Sequence, residues 1–192
     1  MTEHVELGLA RLSDAKRIAI MSRELIEHGL GWSWTPDRVA NHVRRPDTVV
    51  LAARALGGLV GFAIMHFGED DAHLKLLAVS PFHRHTGIGR RLVLWLERSA
   101  GFAGICAIHV EVRASNRSAQ SFYRSLGYRP VGLWVGYYCG REAAVRMSRT
   151  LRSVRWSELD MNAAKLTSAL KLWASWSTIS RMISPEGPFA CP

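Results

Sequence analysis

The segment Arg84-His85-Thr86-Gly87-Ile88-Gly89 combines two glycines with a cation, and Arg90 and Arg91 follow at once. Glycine lets backbone N–H groups approach a ligand with no Cβ in the way. A helix opening at Gly87 would turn its unpaired N–H groups and the positive end of its dipole toward an anion. With the arginines, these features describe a cradle for a pyrophosphate. The segment is not a Walker loop, because no Gly-Lys-Ser/Thr follows. Nor is it a full dinucleotide fingerprint, because Leu92 stands where the third glycine belongs. A tight strand-to-helix turn demands the same glycines, so the segment alone leaves both readings open. His83 and His85 form an H-x-H pair, but a metal site needs more ligands and none is placed. No metal is expected.

A second group of chemically capable side chains lies downstream. On a strand, Ile108, Val110 and Val112 face one way and His109, Glu111 and Arg113 the other. Tyr123 follows Asn116 by two helical turns, so the two share a helix face. Glu111 could also be a surface glutamate paired with Arg113 or His109. Tyr123 could be a packing residue beside Phe122 and Leu126.

Several elements must position these groups. Val5, Leu7 and Leu9 alternate, which predicts a strand over residues 4–11. Ser13-Asp14 caps a helix over 15–28, and Gly29 ends it. Thr35-Pro36 opens a second helix running to residue 44. Residues 48–55 and 59–67 form a hairpin around Gly57-Gly58. Residues 73–79 are a strand closed by Ser80-Pro81. A helix spans 87–99, a strand 106–113, and a helix 115–126 with Gly127 at its C-terminal end. Residues 128–135 and 142–150 are the last strands. The order β-α-α-β-β-β-α-β-α-β-β argues an α/β domain, a sheet with helices on its faces.

Two stretches taken together carry a resemblance. The first is Ala78-Val79-Ser80-Pro81 leading into the R-x-x-G-x-G of residues 84–89. The second is Glu111-Val112-Arg113-Ala114-Ser115-Asn116, followed by Phe122-Tyr123-Arg124-Ser125-Leu126-Gly127-Tyr128. They resemble the acetyl-CoA loop and the strand, Asn-initiated helix and Tyr-x-x-x-Gly-Tyr of the GNAT superfamily of N-acetyltransferases. Within it, the E-V-R-A-S-N segment is similar to that of the bacterial ribosomal-protein N-terminal (alpha-amino) acetyltransferases. The likeness covers residues 74–151 well and the first seventy residues loosely. His85-Thr86 and Lys75-Leu76 depart from the family pattern.

The resemblance implies a GNAT fold over residues 1–151, with a mixed, mostly antiparallel sheet and helices on both faces. It implies an enzyme that transfers an acetyl group from acetyl-CoA to a primary amine, an N-terminal amine of a protein or peptide. Such a transfer needs a neutral amine, a polarised carbonyl and a proton for the departing thiolate. Residues 74–79 hold no carboxylate, and the family places its base at Glu111, acting directly or through water. Tyr123 would then be the acid that protonates the thiolate. Leu77, Ala78, Val79, Arg84, His85, Thr86, Gly87, Ile88, Gly89, Arg90, Asn116, Ser118 and Tyr123 would line acetyl-CoA. The strands ending at Val79 and beginning near Ile108 would part around pantetheine, and a backbone N–H near Val79 would polarise the thioester. Trp34, Tyr137 and Tyr138 would border the acceptor.

The composition admits this reading and excludes others. Hydrophobic residues make up 48% and charged residues 21% of the 192-residue chain, as in a globular protein. No apolar run reaches membrane-spanning length, and the N-terminus lacks a signal-peptide pattern, so a cytoplasmic location with no membrane contact is expected. Three cysteines without a CxxC pair argue reduced thiols. The formal charge of +9 is spread along the chain with no long basic run, which does not favour nucleic acid. Two alternatives stay open: a small-molecule amine acetyltransferase, and a non-catalytic GNAT-like basic binding module. Residues 152–192 hold Leu159, Leu166, Leu170, Trp173 and Trp176 near helical spacing. This predicts one amphipathic helix packed on the domain or on a second copy in a homodimer.

Overall fold

The computed structural model describes residues 4–151. The predicted C-terminal helix therefore lies outside the described residues. Seven strands form one sheet: β1 (Glu6–Leu9), β2 (Thr48–Ala55), β3 (Gly58–Phe67), β4 (Asp71–Val79), β5 (Ala107–Arg113), β6 (Arg129–Tyr138) and β7 (Glu142–Thr150). Their order is β1-β2-β3-β4-β5-β7-β6. Only β4 and β5 run parallel; every other neighbouring pair is antiparallel. This is the mixed, mostly antiparallel sheet expected.

Four helices cover it: α1 (Ala15–Leu25), α2 (Pro36–Arg44), α3 (Ile88–Phe102) and α4 (Arg117–Ser125). On one face, Ile18, Ala19 and Met21 of α1 and Val39 of α2 bury against Val50, Phe62, Ile64 and Leu76. On the other, Ile88, Leu92, Val93 and Leu96 of α3 and Tyr123 of α4 pack on Leu51, Met65, Leu74, Ile108 and Val110. The side-chain alternation read from β5 holds: Ile108, Val110 and Val112 enter this second core.

Four local features differ from expectation. Asp14 does not cap α1; a 3-10 turn at Leu12–Asp14 precedes the helix, and the Asp14 carboxylate accepts from Arg11 N at 2.7 Å and pairs with Arg54. Helix α1 stops at Leu25 instead of residue 28, because the chain turns inward at Glu27, whose carboxylate is 2% exposed as part of that residue. It accepts from Ser33 N at 2.7 Å, Ser33 Oγ at 2.6 Å and Trp34 N at 3.2 Å, pinning the loop between α1 and α2. Cys106 is a free, exposed thiol as expected, but Cys139 is disulfide-bonded, so the reduced-thiol expectation does not hold there.

The fourth feature shapes the site. Ile64 pairs with Leu76 and Met65 with Leu74, so Lys75 is an extra residue in β4. Such a bulge bends its strand and increases the local twist. It also reverses the facing, sending Leu74 to the α3 side and Leu76 to the α1 side.

Candidate active site

Strands β4 and β5 are joined over three positions only, Asp71 with Ala107, Ala72 with Ile108 and His73 with His109. Beyond them, past the bulge at Lys75, the strands diverge. The opening is a cleft of about 420 Å³ whose walls include Leu74 to Leu77 of β4, Val110 to Arg113 of β5, Asn116 and Tyr123 of α4, Tyr138 of β6, and Leu25 and Ile26 at the end of α1.

Glu111 lies in this wall with its side chain only 3% exposed. Its Oε2 contacts His73 Nε2. Its Oε1 has no hydrogen-bond partner among the described residues, and the nearest cation, Arg146 Nε, is 3.7 Å away. A buried carboxylate oxygen left without a donor is costly, and here it borders an open cleft. Neither partner considered from sequence is used. His109 Nε2 faces Asp71 at 3.3 Å. Arg113 donates to Ile26 O at 3.0 Å and His28 O at 2.9 Å, and pairs with Glu142 at 3.4 Å, tying β5 to the end of α1.

Tyr123 is buried, with its ring edge-on to Phe122 and Tyr128 at 5.2 and 5.4 Å. Burial, with Tyr138 adding to it, drives its pKa well above the ordinary phenol value. The hydroxyl therefore carries its proton at neutral pH, the form an acid catalyst needs. Asn116 caps α4, its Oδ1 accepting from Ala119 N at 2.9 Å, while it also lines the cleft. Ser118 is exposed on the first turn of α4.

The loop after β4 is held by Arg84 Nε on Val79 O at 3.3 Å and Thr86 Oγ1 on His83 O at 2.7 Å. Gly87 has φ +85, the left-handed region, with nothing within 4 Å of where a Cβ would stand. Its need for glycine is conformational, and the space over it is open. At Gly89 a Cβ would stand 3.4 Å from the Phe122 ring, an ordinary van der Waals contact, so the packing of α3 on α4 does not by itself demand glycine there. Ile88, Gly89 and Arg90 open α3, and their N–H groups have no carbonyl within the helix to receive them. His85, Thr86, Gly87 and Arg90 are exposed. An open, donor-lined, cationic loop fits a pyrophosphate, and the parted strands beside it fit an extended pantetheine arm.

Glu111, Asn116 and Tyr123 thus line one cleft between the parted strands, and β4 leads from that cleft to the glycine-bearing loop. The model of the acetyltransferase (GNAT) family matches residues 18–128. The chain belongs to the GNAT acetyltransferase family. The N-alpha-acetyltransferase RimI of Mycobacterium tuberculosis is 33% identical over 142 residues, 71% of this chain and 86% of that protein. The ribosomal protein bS18-alanine N-acetyltransferase of Escherichia coli K12 is 36% identical over 95 residues, 48% of this chain and 64% of the enzyme. The crystal structure of the E. coli ribosomal-protein-S18-alanine N-acetyltransferase superposes with a TM-score of 0.67 at 26% identity, covering 82% of this chain and all of that one.

Against this GNAT frame, Leu77, Ala78 and Val79 run along β4 from the cleft toward the loop. Tyr138 reaches the cleft and donates to the Glu111 carbonyl at 3.3 Å. Tyr137 is close enough for Glu111 to raise its pKa, after the larger effect of burial. Trp34 is a correction. It is fully buried in the core under α1 and α2, beneath Arg38 at 4.9 Å and against His42 at 4.9 Å, so it packs and does not touch an acceptor.

Sequence reasoning missed His73, Lys75 and Arg146, which surround Glu111. His73 and Lys75 stand in the strand examined only for carboxylates, and Arg146 reaches Glu111 through the register that pairs those two residues across β5 and β7.

Proposed function

We propose that this protein transfers an acetyl group from acetyl-CoA to the N-terminal α-amine of a protein or peptide. The observation that carries the reading is the buried Glu111 carboxylate, with one oxygen held by His73 and the other open to a cleft that Tyr123 shares. The named activities of the relatives from M. tuberculosis and E. coli support the same acceptor class.

Acetyl-CoA supplies an activated thioester carbonyl. Backbone N–H groups at the start of α3, with Arg84 and Arg90, would hold its pyrophosphate, and the parted edges of β4 and β5 its pantetheine arm. Glu111 Oε1 takes the proton from the acceptor amine, directly or through one water, while His73 fixes the carboxylate through Oε2. The Tyr123 hydroxyl gives its proton to the departing sulfur. Both groups are shielded from bulk water, which strengthens their electrostatic effect.

The test is thiol release from acetyl-CoA across N-terminal peptides, lysine peptides and small amines. Highest kcat/KM is expected with N-terminal peptides. Release with small amines alone would overturn the protein acceptor, and no release with any amine would overturn the transfer itself.

A further inference from the structure

The cleft holds a cation with no ion-pair partner within contact distance among the described residues. Lys75, the bulged residue of β4, lines the cleft with Glu111. It is half-buried, and its ammonium makes no ion pair among the described residues. Burial lowers its pKa, the Glu111 carboxylate opposes this, and Arg38 and Arg45 add to the lowering. The acid that acts on it is Glu111, which also contacts His73 and lies 3.7 Å from Arg146 Nε.

Glu111 therefore answers several charges at once, with Arg146 3.7 Å from its Oε1, His73 on its Oε2 and Lys75 facing it at longer range. When Glu111 takes up the amine proton its own charge is lost. Lys75 and Arg146 are then left uncompensated in a partly desolvated cleft, which is costly. A carboxylate brought in by the acceptor would offset that cost.

We propose that Lys75 determines specificity by selecting acceptors with a carboxylate next to the reacting amine, that is, acidic N-termini with Asp or Glu in the first two residues. This rests on the reading of Glu111 as the base. With the amine at Glu111 Oε1, the acidic side chain meets the Lys75 ammonium in a charge-assisted hydrogen bond. A basic side chain in the same place meets Lys75 and Arg146 and is rejected. The same cations disfavour the protonated form of the bound amine, which eases its deprotonation.

The experiment compares peptides identical except for Asp, Asn or Lys at the second residue, assayed by thiol release with acetyl-CoA. The wild type is expected to favour Asp over Asn by about tenfold in kcat/KM, mostly through KM, the size of one charge-assisted contact. Lys75→Met should bring that ratio close to one, Lys75→Arg should keep it, and Lys75→Glu should turn the preference toward Lys. The rise in melting temperature with acetyl-CoA checks that each variant is folded. Equal Asp/Asn ratios in the wild type and Lys75→Met, or a wild-type preference for Asn or Lys, would overturn the proposal. If only small amines are acetylated, the N-terminal reading fails. Lys75 is then judged by the same ratio on an amine carrying a carboxylate against its amide.

Discussion

Replacing Glu111 by Gln removes the charge and keeps the shape, so it isolates the proton-accepting role. The side chain is 3% exposed, so bulk water does not stand in for the lost carboxylate. The loss at pH 7 should be of the order that general bases contribute, about 10²–10⁴-fold in kcat. Its pH dependence follows from the acceptor. An α-amine of pKa ~8 is about 9% neutral at pH 7 and about 91% neutral at pH 9. Without a base the variant depends on that neutral fraction, so its rate should climb about tenfold between those values. The wild type, with Glu111 present as the base, should rise less. Steady-state rates from pH 6 to 9.5 with a confirmed acceptor make the measurement, and retained stabilisation by acetyl-CoA shows that the cleft is intact. A loss equal at every pH would mean that Glu111 positions the amine and another group takes the proton. A kcat near wild type would remove it from the mechanism.

Tyr123→Phe keeps the ring contacts with Phe122 and Tyr128 and loses only the hydroxyl; kcat should fall by about 10²–10⁴-fold with acetyl-CoA affinity, measured by calorimetry, nearly unchanged. Gly87→Val forces a β-branched residue toward φ +85, which re-aims the donors at the start of α3; the acetyl-CoA-induced rise in melting temperature should vanish while the apo protein stays folded. His42 has its pKa lowered to about 4 by burial first and then by Arg38, Arg45 and Lys75. The unfolded chain therefore binds the extra proton first, so stability present above pH ~6.5 is lost as pH falls toward 4, by about 1–2 kcal/mol after allowing for partial exposure. His42→Phe, which keeps a ring against Trp34, should flatten that part of the stability–pH curve in denaturant titrations.

The helices and strands were legible because each is written in local pattern. Ile108, Val110 and Val112 alternate into the core as read, and Thr35-Pro36 opens α2 with the Thr35 hydroxyl accepting from Arg38 N at 3.4 Å. Glu111 and Tyr123 could be singled out because they sit in contiguous segments whose pattern survives in the primary sequence. Trp34 was misplaced because a loop aromatic looks exposed until Glu27, seven residues earlier, draws that loop inward. The bulge at Lys75 left no local mark either. It is visible only when the register of β4 on β3 is laid out, and without it the strand reads as an unbroken alternation.

On the proposed reading, the proton chemistry and the choice of acceptor are encoded differently in this chain. Glu111, Asn116 and Tyr123 come from one continuous strand–helix stretch, where a few positions set a relative geometry that the backbone alone maintains. The charges around Glu111 come from separate places: His73 and Lys75 on β4, and Arg146 on β7. No single segment holds that pattern, and among these positions His73 and Arg146 contact Glu111 directly whereas Lys75 faces it without an ion pair among the described residues. On that reading a change of acceptor charge preference would centre on Lys75, whose ammonium lines the cleft and makes no ion pair among the described residues.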